Sequence, residues 1–183
     1  SDPLLIGGQL NTGSVNSHLN GKIDDVRIFD YALTAEAIQS SMQAELSGNE
    51  TGLTGYWKFD TPDNTTVADR SGNGNGGVII GEAIVGESRF NIETAHRGTL
   101  FFDGVDDYVE APHSEQLDLQ GAFTVEAWFY YNGENSDENT LVDKDNQYRL
   151  YLKNGHVALT GDGSTGVDFN DTALEEKQWV HVA

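Results

Sequence analysis

A glycine-rich stretch at residues 68–77 carries the side chains best suited to holding a metal ion. Asp69, Asn73 and Asn75 offer oxygen atoms, and the glycines between them let the backbone curl tightly. A hard cation such as Ca²⁺ takes six to eight oxygen ligands, several of them backbone carbonyls. We therefore predict structural calcium at these three residues. The alternative is a solvated Gly/Asn loop held by hydrogen bonds from its own side chains.

Asp24 is a fourth candidate ligand. It alternates with Val26 and Ile28 in an apolar run, so simple strand alternation places its carboxylate on their inward face. A buried carboxylate needs a partner, either a cation or an arginine from elsewhere in the sheet. We expect Asp24 to contribute to the calcium site.

Acid–base catalysis finds little support among the carboxylates. A retaining glycosidase needs two carboxyl groups about 5 Å apart. Glu126 is alone in its run, while Asp24 and Asp25 are adjacent and so point to opposite faces of a strand. The histidines lack metal-ligand spacing and the chain has no cysteine. The sequence therefore predicts a protein that is not an enzyme.

The charge balance limits the partners. The 183 residues include 10 Lys and Arg against 30 Asp and Glu, a formal net charge of −20. Nucleic-acid backbones and anionic membranes attract clustered basic residues, so neither is expected as a partner. No apolar run approaches the roughly 20 residues that span a bilayer, and membrane insertion is not expected. The acidic turn at residues 103–107 is a second candidate metal site, but we favour its interpretation as a tight hairpin with solvated carboxylates.

Alternating apolar and polar residues dominate the chain and predict many short strands. Turn residues separate them, and Asn154-Gly155 between two such runs is the clearest hairpin signal. One short helix is expected at residues 35–46, capped by Thr34, with Ile38, Met42 and Leu46 on one face. This pattern indicates an all-β sandwich of antiparallel sheets.

Several motifs, in order along the chain, resemble those of laminin-G-like domains in the concanavalin A-like lectin/glucanase superfamily. The resemblance implies a jelly-roll sandwich of two antiparallel sheets and covers nearly the whole chain. The motifs are GKIDDVRIFDYAL at 21–33, GYWKFD at 55–60, VADRSGNGNGG at 67–77, FFDGVDDYVEAP at 101–112, AFTVEAW at 122–128 and WVHVA at 179–183.

The order of these motifs implies an unusual domain organisation. Residues 1–47 resemble the closing strands and helix of one repeat, residues 48–52 a linker, and residues 53–183 the beginning of a second repeat. Two arrangements are open. Either residues 1–47 dock onto the second segment as one circularly permuted, incomplete sandwich, or they form a disordered arm beside an incomplete sheet. We favour docking, because a separate strand and helix cannot bury Ile23, Val26, Ile28 and Phe29.

A ligand site is suggested by similarity to pentraxins, distant relatives of the same architecture. The run Asp143-Lys144-Asp145-Asn146-Gln147 resembles their loop with an Asp-Asn pair that binds calcium and, through it, ligand. The matching second loop contains Gln9 and Asn11. The resemblance therefore implies ligand binding at Asp145, Asn146, Gln9 and Asn11, against the alternative of a plain polar loop.

Together these observations predict a non-catalytic carbohydrate-binding or adhesion module with structural calcium. The expected setting is a large secreted or cell-surface multidomain protein, and the expected partners are a glycan or an extracellular protein and neighbouring domains of the same chain. One alternative is a purely structural spacer repeat of an adhesin. Another is a domain associated with a glycoside hydrolase.

Overall fold

A computed structural model describes residues 2–60, 65–86, 98–133, 138–161, 167–168 and 173–183. About half of these residues lie in antiparallel strands, as the alternation predicted. The first strands along the chain are β1 (Leu4–Ile6), β2 (Gln9–Asn11), β3 (Ser14–Asn16), β4 (Asn20–Phe29), β5 (Leu53–Trp57), β6 (Thr66–Val67), β7 (Gly77–Ile80) and β8 (Ile84–Gly86). The others are β9 (Thr99–Asp103), β10 (Tyr108–Ala111), β11 (Thr124–Tyr131), β12 (Glu138–Lys144), β13 (Tyr148–Lys153), β14 (His156–Gly161), β15 (Val167–Asp168) and β16 (Trp179–Val182).

Two large sheets face each other across the apolar core. Among the described residues, the first sheet has eight strands in the order β15-β14-β13-β12-β1-β10-β7-β6. The second has the order β16-β11-β4-β9-β8, with β5 also paired to β4, and β2 and β3 form a separate hairpin. Side chains of both sheets fill the space between them, among them Leu4, Val109, Phe102 and Phe129. This arrangement is a concanavalin A-like all-β sandwich.

Strands from residues 1–47 and strands from residues 53–183 contribute to both sheets. β4 pairs with β5, with Val26 opposite Trp57 and Ile28 opposite Gly55, and β4 also pairs with β9 and β11. β1 lies between β10 and β12. The strand pairing that docking requires is therefore present. That the two segments belong to consecutive repeats, with boundaries at 47 and 53, stays a prediction.

The helix α1 (Ala35–Ser41) is shorter than the predicted 35–46. Thr34 caps it as expected, with its Oγ1 accepting a hydrogen bond from the Ala37 N–H at 3.2 Å. The chain leaves the helix after Ser41 because sheet side chains bind the following carbonyls. Arg27 donates to the carbonyls of Ser41 and Ala44, and Trp128 donates to that of Met42.

A β-bulge in β4 changes which side chains face the core. Arg27 lies opposite Glu126 and Asp24 opposite Trp128, so β4 has one more residue than β11 between these pairs. Asp25 has a φ of 51° at this position. The bulge reverses the alternation, so Ile23 joins Val26 and Ile28 in the core.

No helix of the described residues has the length and apolar character needed to cross a membrane.

Candidate functional site

A polar cleft lies beside the turn between β12 and β13. β12 ends at Lys144 and β13 begins at Tyr148, and Asn146 in the turn between them has a φ of 62°. The cleft has a volume of about 180 Å³ and is lined by side chains of β2, of this turn and of β14. Its walls include Gln9, Asp145 and Thr160. The cleft is small for a ligand pocket and suits one compact polar group.

Asp143 is the buried acid of this cleft. Its Oδ2 accepts a hydrogen bond from the Leu10 N–H at 2.9 Å, which ties the β2–β3 hairpin to β12. Burial raises the pKa of Asp143 to about 6, because desolvation outweighs the hydrogen bond from Leu10 and the nearby Arg149 charge, and Asp145 adds to the rise. The cleft therefore gains negative charge as the pH rises through the mildly acidic range.

Arg149 lies opposite Asp143 in the cleft and is held there by hydrogen bonds. Its guanidinium donates to Thr140 Oγ1 at 2.8 and 3.1 Å and to Glu138 Oε2 at 2.8 Å. It also lies over the Tyr151 ring, 4.2 Å from the ring centroid. These contacts occupy the arginine, so the cleft offers a ligand mainly carboxylate and amide groups.

We expect Asp143→Asn to stabilise the protein at neutral pH. The folded carboxyl group binds its proton more tightly than the unfolded one, so its contribution to stability is present below pH 3.8 and is lost as the pH rises to about 6. Asparagine removes this loss and still offers an oxygen to the Leu10 N–H. The free energy of unfolding at pH 7 should rise by about 1–3 kcal/mol, with the gain disappearing near pH 4.

Denaturant unfolding from pH 4 to pH 7 in the presence of EDTA would measure this difference. Asp145→Asn is the matched control, because Asp145 is half-buried and its neutralisation should change the pH profile much less. A destabilised Asp143→Asn protein at pH 7 would contradict the prediction.

Three of the four predicted ligand-binding residues line the same cleft. Gln9, Asp145 and Asn146 meet there although β2 is more than a hundred residues from the turn, whereas Asn11 is not among the lining residues. Asp143 was not predicted as a site residue. The signal in the sequence was its position, since Asp143 opens the run Asp143-Lys144-Asp145-Asn146-Gln147 that resembles the pentraxin loop.

Asp69, Asn73 and Asn75 do come together, but as a hydrogen-bonded network. The Asp69 carboxylate accepts hydrogen bonds from the N–H groups of Tyr56, Ser71 and Asn75 and from the Ser71 hydroxyl, at 2.8–3.0 Å. Asn73 and Asn75 donate their amide N–H groups to backbone carbonyls, including that of Thr54. Donors surround the carboxylate, so these residues do not fit a calcium ion in this arrangement.

Asp24 is on strand β4 of the second sheet. It is buried, 1% exposed, and is opposite Trp128 in the β4–β11 pair. Directly opposed residues share a face, and Trp128 contacts His181 and the Met42 carbonyl on the outer side of the sheet. The inward direction expected from simple alternation is therefore wrong, and its cause is the bulge at Asp25.

The acidic turn brings three carboxylates together. Oxygen atoms of Asp103, Asp106 and Asp107 lie within 4.8 Å of one another. Both oxygens of Asp107 already accept backbone hydrogen bonds, from Glu82 and Asp103, and Asp103 accepts one from Val105. These bonds close the turn, but the predicted hairpin with solvated carboxylates is wrong. β9 and β10 belong to different sheets, so the turn connects the two layers, and Asp107 is buried.

Glu126 is paired rather than isolated. Its Oε1 lies 3.2 Å from Arg27 Nη1, and its Oε2 lies 3.5 Å from His181 Nε2. Asp25 accepts a hydrogen bond from the Tyr56 hydroxyl at 3.1 Å and lies 3.8 Å from Arg27. This buried ion cluster, Asp25, Arg27, Tyr56 and Glu126, lies beneath residues 41–44, which it attaches to the sheet.

A comparison with protein families agrees with the sandwich fold. Residues 103–183 match a laminin-G-like family model described as the Concanavalin A-like lectin/glucanases superfamily. The match confirms the predicted resemblance over the part of the chain from the end of β9 through β16. It supports a general carbohydrate-binding or structural module. Searches of curated proteins and of solved structures found no match.

Proposed function

We propose that this protein is a non-catalytic carbohydrate-binding or adhesion module of a secreted or cell-surface multidomain protein. The observation that carries the proposal is the polar cleft in which Gln9, Asp143, Asp145 and Asn146 converge. Sugars present hydroxyl groups that donate and accept hydrogen bonds, and carboxylate and amide side chains match both roles. The family match of residues 103–183 supports the same class of ligand.

The proposal includes a calcium ion bound in the cleft. Asp143 and Asp145 supply carboxylate oxygens, and Gln9 and Asn146 supply amide oxygens, which is a donor set that suits a hard cation. A bound cation would offset the mutual repulsion of the two acids and favour the ionised form of Asp143. The Asp69 loop needs no ion, because its carboxylate is filled by hydrogen-bond donors.

The absence of a catalytic role is also a proposal, supported by the surroundings of the candidate acids. Glu126 and Asp25 are held by Arg27 under the chain at residues 41–44. A carboxylate paired in this way is poorly placed to protonate a glycosidic oxygen.

A glycan array probed with and without EDTA tests the proposal. We expect the wild-type protein to bind a subset of glycans in calcium, and Asp145→Ala to lower the affinity at least about tenfold because a charged hydrogen-bond partner is lost. Glu82→Ala is the matched control, since Glu82 is an exposed acid between β7 and β8.

The other functions predict different outcomes. A protein that binds no glycan would be a structural spacer, and the proposal would be wrong. Release of smaller sugars from a bound polysaccharide would indicate a glycoside hydrolase instead.

A further inference from the structure

The polar cleft is the first of three adjoining clefts. A second, of about 340 Å³, is lined by Leu119, Gln120, Phe123 and Gly161, and it shares Asn146 and Gln147 with the first. A third, of about 330 Å³, is lined in part by Asp30, Thr54 and Gln116, and it shares Leu119 and Gln120 with the second. The shared residues place the three clefts side by side, and we call this row of clefts the groove.

The strand register places this groove at one end of the sandwich. Phe29, the last residue of β4, lies opposite Thr124, the first residue of β11. In the other sheet, Lys144 at the end of β12 lies opposite Tyr148, which itself lies opposite Gly161 at the end of β14. The loops that follow or precede these strand termini therefore lie at the same end of both sheets.

Each cleft contains uncharged amide side chains. Gln9 and Asn146 line the first, Gln147 and Gln120 the second, and Gln116 the third. An amide donates and accepts hydrogen bonds without a charge, which suits the hydroxyl groups of a sugar. The half-buried Phe123 ring adds an apolar surface in the second cleft, held against Tyr148 with ring centroids 5.2 Å apart.

The charges along the groove disfavour an anionic ligand. Five acids line it: Asp30, Glu115, Asp118, Asp143 and Asp145. Two cations also line it, and both form ion pairs, Lys144 with Asp118 and Arg149 with Glu138. A chain of uronic acids or sulfated sugars would therefore meet repulsion, in addition to the repulsion from the protein's net charge of −20.

We propose that the groove binds a neutral oligosaccharide that extends through all three clefts, with the second cleft as a sugar subsite. This inference rests on the proposed carbohydrate-binding function and deepens it. It predicts that affinity rises with chain length from the monosaccharide to at least the trisaccharide, because each further unit adds contacts in a new cleft.

Titration calorimetry with oligosaccharide ladders tests the groove. The probes are the cello-, manno-, malto- and xylo-series from monosaccharide to hexasaccharide, with an oligogalacturonate ladder as the anionic probe. We expect a neutral series to bind with rising affinity and the oligogalacturonates to bind more weakly. Gln120→Ala should lower trisaccharide affinity about fivefold, which corresponds to one lost hydrogen bond.

Two further variants separate the groove from a general effect on the protein. Asn146→Gly keeps the positive φ and removes the amide shared by the first two clefts, so it should weaken every length of ligand. Gln39→Ala removes an exposed amide on α1 and should change nothing.

The outcomes distinguish this inference from the proposed function. Affinity that is equal for all lengths, a preference for oligogalacturonates, or an unaffected Gln120→Ala protein would overturn the groove alone. A protein that binds no ladder and no glycan on the array would overturn the proposed function and the groove with it.

Discussion

Replacing Arg27 by methionine should lower the free energy of unfolding by about 3–5 kcal/mol, the cost of leaving a buried charge without its partner. Arg27 is 1% exposed and contacts both Glu126 and Asp25. Its guanidinium also binds the carbonyls of Ser41 and Ala44. Methionine fills a similar volume but leaves the two carboxylates buried and these carbonyls without a donor.

Lys22→Met is the matched control for this change. Lys22 is on the same strand, and its ammonium lies 5.6 Å from the Tyr130 ring centroid at a partly exposed position. Its loss removes the same charge and should cost less than about 1 kcal/mol. Denaturant unfolding of both variants gives the comparison, and equal losses would show that the ion cluster does not stabilise the fold.

The second large effect is expected for Asp69→Ala. This change removes the acceptor for three backbone N–H groups, those of Tyr56, Ser71 and Asn75, and for the Ser71 hydroxyl. A donor left without an acceptor costs about 1–3 kcal/mol when buried. Because loop N–H groups regain some water, we expect a total loss of about 3 kcal/mol in the free energy of unfolding.

The measurement is made in EDTA, which separates hydrogen bonding from any metal effect. Asp106→Ala removes the same charge from an exposed turn and should change stability by less than about 0.5 kcal/mol. If Asp69 instead serves calcium, the wild-type protein in EDTA would already have lost the stability that Asp69→Ala removes, and the two proteins would then unfold alike.

The two stability predictions concern the hydrogen bonds that hold two loops against strands distant in sequence. Arg27 and Trp128 attach residues 41–44 to the outer face of the second sheet. Asp69 attaches the glycine-rich loop to β5 through the Tyr56 N–H. Both attachments use polar side chains on backbone groups, with Arg27 buried and Asp69 half-buried, which explains why neither loop needs a large apolar surface of its own.

Local signals in the sequence determined the class of fold and some of its turns. Asn154 and Gly155 have φ values of 51° and 77°, and they join β13 to β14 as the predicted two-residue turn. Thr34 caps α1 as expected. These features depend on residues within a few positions of one another, so the sequence is sufficient to predict them.

Features that depend on partners distant in sequence were predicted less well. The end of α1 at Ser41 follows from Arg27 and Trp128, which belong to strands of the second sheet. The direction of Asp24 follows from a bulge at Asp25 that the alternating pattern does not reveal. The Asp69 loop was predicted as a calcium site because the sequence shows its oxygen atoms but not the N–H groups that reach them.

The sequence by itself determined an acidic, all-β sandwich, because apolar alternation and turn residues act within single strands. The resemblance to pentraxin loops added Asp145, Asn146, Gln9 and Asn11 as candidate ligand residues. Only the tertiary structure decided that Asp143 is the buried acid of the cleft and that three clefts lie side by side. The physical reason is that strand register and packing, not local spacing, bring β2, the β12–β13 turn and the loop before β11 to one end of the sandwich.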